Sequence, residues 1–132
     1  MKTYYTPEPS EFHIGFEYEI NTLYPEKHID GYGFIKTVIT TENYRQNMDC
    51  IHLLDRVRVK YLDHDDILSL GWKKTSEIQN SSWYTLNEFC LIFSTTQNKI
   101  YISDKHDETK FSGTIKNKSE LKRLMNQLQI NM

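Results

Sequence analysis

The clearest signal in this chain is an alternation that begins at Phe12. Phe12, Ile14, Phe16, Tyr18 and Ile20 are apolar or aromatic, and His13, Gly15, Glu17 and Glu19 fall between them. A period of two places the first set on one face of a pleated strand, so the pattern predicts a half-buried strand over 12–20. Phe34 to Thr41 is rich in β-branched residues and predicts a second strand. Val57, Val59 and Tyr61 alternate with Arg56, Arg58 and Lys60, a third amphipathic strand. Farther on, Trp83–Leu86, Phe89–Ser94, Lys99–Ser103 and Thr109–Ile115 read as a meander joined by short polar hairpin loops. An extended segment also starts at Trp72 and breaks over Ser76 to Ser82.

Two helices interrupt or close this pattern. Asp63 is placed to cap a short helix, with Asp65 and Asp66 at the positive end of its dipole and Gly71 in the left-handed position beyond its end. Asn117 and Glu120 have capping-box spacing, and Leu121, Leu124, Met125 and Leu128 follow at helical spacing. That apolar stripe requires a sheet face to lie on. The elements add up to an α+β fold: an antiparallel sheet of about six to seven strands with two short helices, the C-terminal helix packed on the sheet. Residues 1–10, with Pro7 and Pro9, read as an extended arm pinned by Tyr4 and Tyr5. Residues 21–33 and 42–55 are loop-rich. With no repeat or linker, 132 residues fit a single domain over 1–132.

Composition narrows the function. The 17 aromatics, three prolines and five glycines suit a packed domain rather than a disordered chain. No apolar h-region follows Met1, and the longest apolar run is Phe89–Phe93, so neither a secretory signal nor a spanning helix is expected. Cys50 and Cys90 lack paired spacing, and Cys90 reads as a small buried hydrophobe, which suits a reduced, cytoplasmic setting. Net charge is −2, but residues 1–55 hold nine acids against four bases, and residues 56–132 nine acids against twelve bases. The C-terminal excess includes Arg56, Arg58, Lys60, Lys116, Lys118, Lys122 and Arg123, a candidate basic face for a partner, nucleic acid or a nucleotide. The alternative is internal pairing, with Glu17 and Glu19 facing Arg58 and Lys60 across neighbouring strands. Tyr84 and Tyr101 are the aromatics expected at the surface, but they are not interleaved with these bases.

Catalytic constellations are thin. Glu17 and Glu19 share a strand face and could hold Mg²⁺, but they fit a solvated polar face better. His64 among Asp63, Asp65 and Asp66 resembles a metal cluster only in composition, since consecutive residues at a helix start point in different directions. His28 with Asp30, His52 with Asp55, and His106 with Asp104 and Asp107 are isolated pairs. A small metal-dependent hydrolase assembled from such loops is a third reading. Phosphate loops and nucleophile elbows are absent from the sequence, and Cys50 beside His52 is the weak remaining thiol candidate.

Three stretches carry a resemblance: Val57-Arg58-Val59-Lys60-Tyr61-Leu62-Asp63, then Leu70-Gly71-Trp72, then Phe111-Ser112-Gly113-Thr114-Ile115 running on through Lys116-Asn117-Lys118-Ser119-Glu120-Leu121-Lys122-Arg123-Leu124. With Glu11 to Glu19 they resemble small uncharacterised proteins of Bacteroidetes genomes and their phages. The resemblance implies a phage- or mobile-element-linked accessory protein that acts in the host cytoplasm by binding a host or defence component, as its inhibitor. Together the readings predict a non-catalytic binding protein without cofactor or membrane, its partner a host protein or a second copy of itself.

Overall fold

The computed structural model describes residues 3–21, 34–43 and 57–130. The chain divides into two compact units, 1–61 and 62–132. The class is α+β, as the sequence predicts: among the described residues there are two helices and nine strands, all pairs antiparallel, divided between a four-stranded and a five-stranded sheet.

In the N-terminal unit the strands are β1 (Tyr4–Tyr5), β2 (Glu17–Asn21), β3 (Phe34–Val38) and β4 (Val57–Lys60), in the order β1-β4-β2-β3. The tyrosine pair does pin the arm: Tyr4 and Tyr5 stand opposite Lys60 and Val59. The strand expected from Phe12 starts only at Glu17. Pro9–Glu11 form a 3-10 turn instead, and the Phe16 amide donates to the His13 carbonyl at 2.9 Å. Gly15 has φ +94°, a conformation that costs glycine nothing, and its amide donates to the Ile39 carbonyl at 2.7 Å. The alternation nonetheless marks the core. Phe12, Phe16 and Tyr18 are buried with Ile39, Val57 and Val59, whereas Ile14 faces solvent at 54% exposure. Phe12 meets Phe16 and Tyr18 edge-on at 5.2 and 5.4 Å, the geometry favoured by ring quadrupoles. β3 stops at Val38 rather than Thr41. Beyond it the Asn43 side chain accepts from the Thr40 amide and donates to the Val38 carbonyl, which satisfies the chain end locally. The loop readings for 22–33 and 44–55 lie outside the described residues.

Arg58, on β4, ties the other three strands of this sheet to its own. Register sets it beside Glu19, and its Nη2 and Nε donate to Glu19 Oε1 at 2.9 and 3.2 Å. Its guanidinium lies 3.7 Å from the Tyr4 ring centroid and 3.9 Å from that of Phe34. A planar cation can meet an aromatic face and a carboxylate at once, which an ammonium does poorly.

The C-terminal unit begins with α1 (His64–Ser69). Asp63 caps it, its Oδ1 accepting from the Asp66 amide at 2.9 Å, and Gly71 beyond its end has φ +99°. Five strands follow as an unbroken meander: β5 (Lys73–Ile78), β6 (Ser81–Leu86), β7 (Phe89–Ser94), β8 (Lys99–Ser103) and β9 (Thr109–Thr114). The break expected over Ser76–Ser82 shrinks to the turn residues Gln79 and Asn80. Gln79 takes a positive φ of 53°, which closes the hairpin, so β5 runs to Ile78 and β6 starts at Ser81. The last helix, α2 (Lys118–Gln127), is capped as predicted: Asn117 Oδ1 accepts from the Glu120 amide at 2.9 Å. Leu121 and Met125 from α2, and Ile67 and Leu70 in and beside α1, share one core with Trp72, Tyr84, Leu91, Phe93, Ile100 and Ile102. The Trp72 indole N–H points to Met125 Sδ at 3.3 Å.

Arg58→Ala removes a cation whose side chain is only 12% exposed and strands Glu19, so urea unfolding is expected to show a loss of about 2–3 kcal/mol. Lys36→Ala, which breaks the exposed Lys36–Glu17 pair at 3.6 Å, is expected to change stability by under about 0.5 kcal/mol. Asn117→Ala is expected to cost about 1 kcal/mol in the same measurement, through loss of the cap.

Candidate functional site

Pleat parity divides the five-stranded sheet into two different faces. On β6, Ser82 and Tyr84 are fully buried, while Ser81, Trp83 and Thr85 point the other way and are partly exposed. The ladder carries this parity across the sheet. Tyr84 stands opposite Leu91, and Leu91 opposite Ile102, which is the inner, helix-covered row. Trp83 stands opposite Ile92, Ile92 opposite Tyr101, and Tyr101 opposite Ser112, an outer row in which the first three are half-exposed and Ser112 is exposed. The positions flanking that outer row are mostly small and hydroxylic, among them Ser81, Thr85, Ser94 and Thr114, with the exposed Ile78 beside Ser81 on β5. Tyr101 turns its hydroxyl to Thr109 Oγ1 at 2.6 Å, which leaves the ring along the face. Large, stiff aromatics among hydroxyl groups give adaptable contact at small entropic cost.

At the β5 end of the inner face lies a chain of polar groups. His64 Nδ1 is hydrogen-bonded to the Tyr84 hydroxyl, and the His64 ring meets Phe93 edge-on at 6.0 Å. The Ser82 hydroxyl donates to Glu77 Oε1 at 3.2 Å, and Glu77 pairs with Lys74 at 3.3 Å. Burial raises Tyr84 above the usual phenol range, with the Ser82 hydroxyl acting the other way. Lys74 holds Glu77 below the usual carboxylate range, first by hydrogen bond and then by charge. Tyr84 is therefore a neutral phenol whose hydroxyl is used by His64, and Ser82 gives its proton to a carboxylate already neutralised by a lysine. This arrangement satisfies polar groups at the sheet end; it does not aim a nucleophile at an open position.

The basic residues do not come together as one set. Arg56 lies outside the described residues. Arg58 and Lys60 belong to the N-terminal unit, where Arg58 meets Glu19 as internal pairing predicts and Glu17 lies 3.6 Å from Lys36. Lys116, Lys118, Lys122 and Arg123 belong to the C-terminal unit. Lys116 and Lys118 are half-buried at the start of α2, and the Lys116 amide donates to Glu120 Oε2 at 2.8 Å; Lys122 and Arg123 are exposed on the helix. Tyr84, expected at the surface, is in the core, and Trp83 beside it is the outward ring.

The metal readings find no assembly: among the described residues no group of three or more His, Cys, Asp and Glu side chains could hold an ion. His28, Asp30, His52, Asp55 and Cys50 lie outside the described residues. Asp104 accepts the amides of His106 and Glu108 at 2.9 and 3.0 Å, so this pair shapes a hairpin loop. These backbone bonds, that of Glu108 foremost, lower the Asp104 carboxyl.

Nothing in the local sequence marks Trp83 and Ile92 as surface residues. The adjacent bulky pair Trp83-Tyr84 fits an alternating pattern in either phase. The one usable signal is that Leu91 and Phe93 outrank Ile92 in the inward phase of β7.

No family model, curated protein or solved structure matches this chain in comparison with known proteins.

Cys90 sits on the outer face beside this row, opposite Thr85 and Ser103, and burial followed by the charge of Asp107 pushes its thiol up. In a Cys50→Ser background, alkylation by iodoacetamide is expected to be slow at pH 8 and to keep rising beyond pH 9. Asp107→Asn lowers the thiol pKa and is expected to raise the pH 8 rate, roughly twofold.

Proposed function

We propose that this protein is a non-catalytic binding protein that docks a protein partner on the outer face of its five-stranded sheet. One observation carries the reading: Trp83, Ile92 and Tyr101 stand in register across three strands, half-exposed, on the face opposite the one buried against the helices. Trp and Tyr are the side chains that most often dominate binding energy when a partner desolvates them, and hydroxylic neighbours supply a polar surround. The β5 edge is a poorer docking feature. Its register shifts between Lys74 and Ser76, and Lys73, Lys74 and Glu77 blunt it, devices that discourage strand addition. The resemblance to phage-linked proteins supports the finer form of this proposal, an inhibitor that occupies a host or defence component.

The test compares the wild-type chain with a Trp83→Ser/Tyr101→Ser variant as bait in a nuclease-treated lysate of the source cell. Near-unchanged circular dichroism establishes that the variant is folded. The expected result is a stoichiometric protein band held by the wild type and weakened roughly 30-fold or more in the variant, as for loss of a hot spot of about 2 kcal/mol. Equal retention by the variant, or recovery of nucleic acid alone from untreated lysate, sinks the proposal.

A further inference from the structure

We infer that the segment docked on the outer sheet face is acidic: an extended peptide stretch of the partner with carboxylates near both ends. This rests on the reading of that face as the docking surface, and it names the chemistry of what docks there.

The charge distribution is the starting point. The register assigns the outward strand positions, and the charged residues among them are Lys73, opposite Thr85, and Lys99, opposite Ser94 and Thr114. No register-paired outward position carries Asp or Glu, although the chain has more acids than bases. The nearby carboxylates lie in the two turns at the Lys73 end: Asp104 and Glu108 meet Lys110 at 3.6 and 4.0 Å, Glu88 meets Lys105 at 3.4 Å, and Asp107 acts on Cys90. Both Lys73 and Lys99 are exposed.

Position adds a length. Lys73 is on β5 in the row of Thr85 and Cys90; Lys99 is on β8 in the row of Ser81 and Ser94. The line between them crosses the Trp83–Ile92–Tyr101 row. Three interstrand steps and four residues along the strands separate the lysines, roughly 20 Å. An extended chain covers that in about six residues. Apolar side chains of such a segment would lie on the aromatic row while its terminal carboxylates reach the lysines.

The same geometry disfavours two other occupants. A two-fold contact of this face with a second copy would set Lys73 and Lys99 against a surface whose register-paired outward positions carry no carboxylate to meet them. Single-stranded nucleic acid would find two cations where a tracking groove needs a series of them.

The experiment follows Trp83 emission, excited at 295 nm, while the intact chain is titrated with a random glutamate–tyrosine copolymer. The buried Trp72 supplies a constant background. The expected result is a saturable emission change that weakens about tenfold or more in Lys73→Glu/Lys99→Glu. It also weakens several-fold when salt rises from about 50 to about 300 mM, because exposed charges are screened over roughly 10 Å. A lysine–tyrosine copolymer should give no such change, and Trp83→Ser should abolish the signal. An equal response from the charge-reversed variant, tighter binding of a twelve-residue oligothymidylate, or no response at all overturns the inference. The two proposals fail separately. If lysate capture depends on Trp83 and Tyr101 but survives Lys73→Glu/Lys99→Glu, the docking face stands and its acidic occupant falls; if capture ignores Trp83 and Tyr101, both fall.

Discussion

Tyr84, Leu91 and Ile102 stand side by side on three consecutive strands, and all three are fully buried in the core shared with α1 and α2. This inward row constrains the whole C-terminal unit. Successive side chains on a strand point to opposite faces, so committing Tyr84 to the core commits Trp83 to the outside, and the ladder carries the decision to Ile92 and Tyr101. A slip of one residue in any hairpin would exchange the two rows. The hairpins resist such a slip because their turns are closed by residues held at positive φ, Gln79, Asn87, Asn98 and Asp107. The outer face proposed for docking is thus a by-product of how the core is filled, displayed with the rigidity of the sheet behind it.

The N-terminal unit solves a different problem, as its described residues show. Its sheet is short, and β1 contributes only Tyr4 and Tyr5. Arg58 compensates by using each side of one group: its edge bonds to Glu19 on β2, and its plane lies near Tyr4 from β1 and Phe34 from β3. A charge so nearly enclosed is stabilising only while its partners remain, which makes this residue a point of vulnerability. It also takes Arg58 out of the pool of cations able to meet a ligand. Charge counted along a chain overstates the charge a surface can offer.

The His64–Tyr84–Ser82–Glu77 chain shows how polar residues that look chemical in isolation can be absorbed by structure. A strand that turns Ser82 and Tyr84 inward must satisfy two buried hydroxyls, and the first residue of α1 and an edge-strand carboxylate do so. The acids around His64 divide in the same way, with Asp63 spent on the helix cap.

Much of the fold was legible in the sequence. Four strand spans, both helix caps and the apolar stripe of α2 follow from local rules, because alternation, capping and helical spacing are read over a few residues. The capping bonds of Asp63 and Asn117 are made within three residues of each cap. What failed did so where distant contacts overrode local pattern. The strand expected over 12–20 lost its first half because Gly15 bonds to Ile39 and Pro9 starts a turn, so rings spaced like a strand are gathered by a bend. The division of the strands into two sheets could not be read from their alternation, which states that a strand has two faces but not which strands pair. The candidate site was less legible still. In Trp83-Tyr84 each residue is bulky enough for the core, and the choice between them was made by Leu91 and Ile102, residues that reach the same row only after the hairpins close. Local sequence determined where strands and helices form; tertiary pairing decided which ring is buried and which is offered, because a side chain's direction is set by its strand's register with its neighbours.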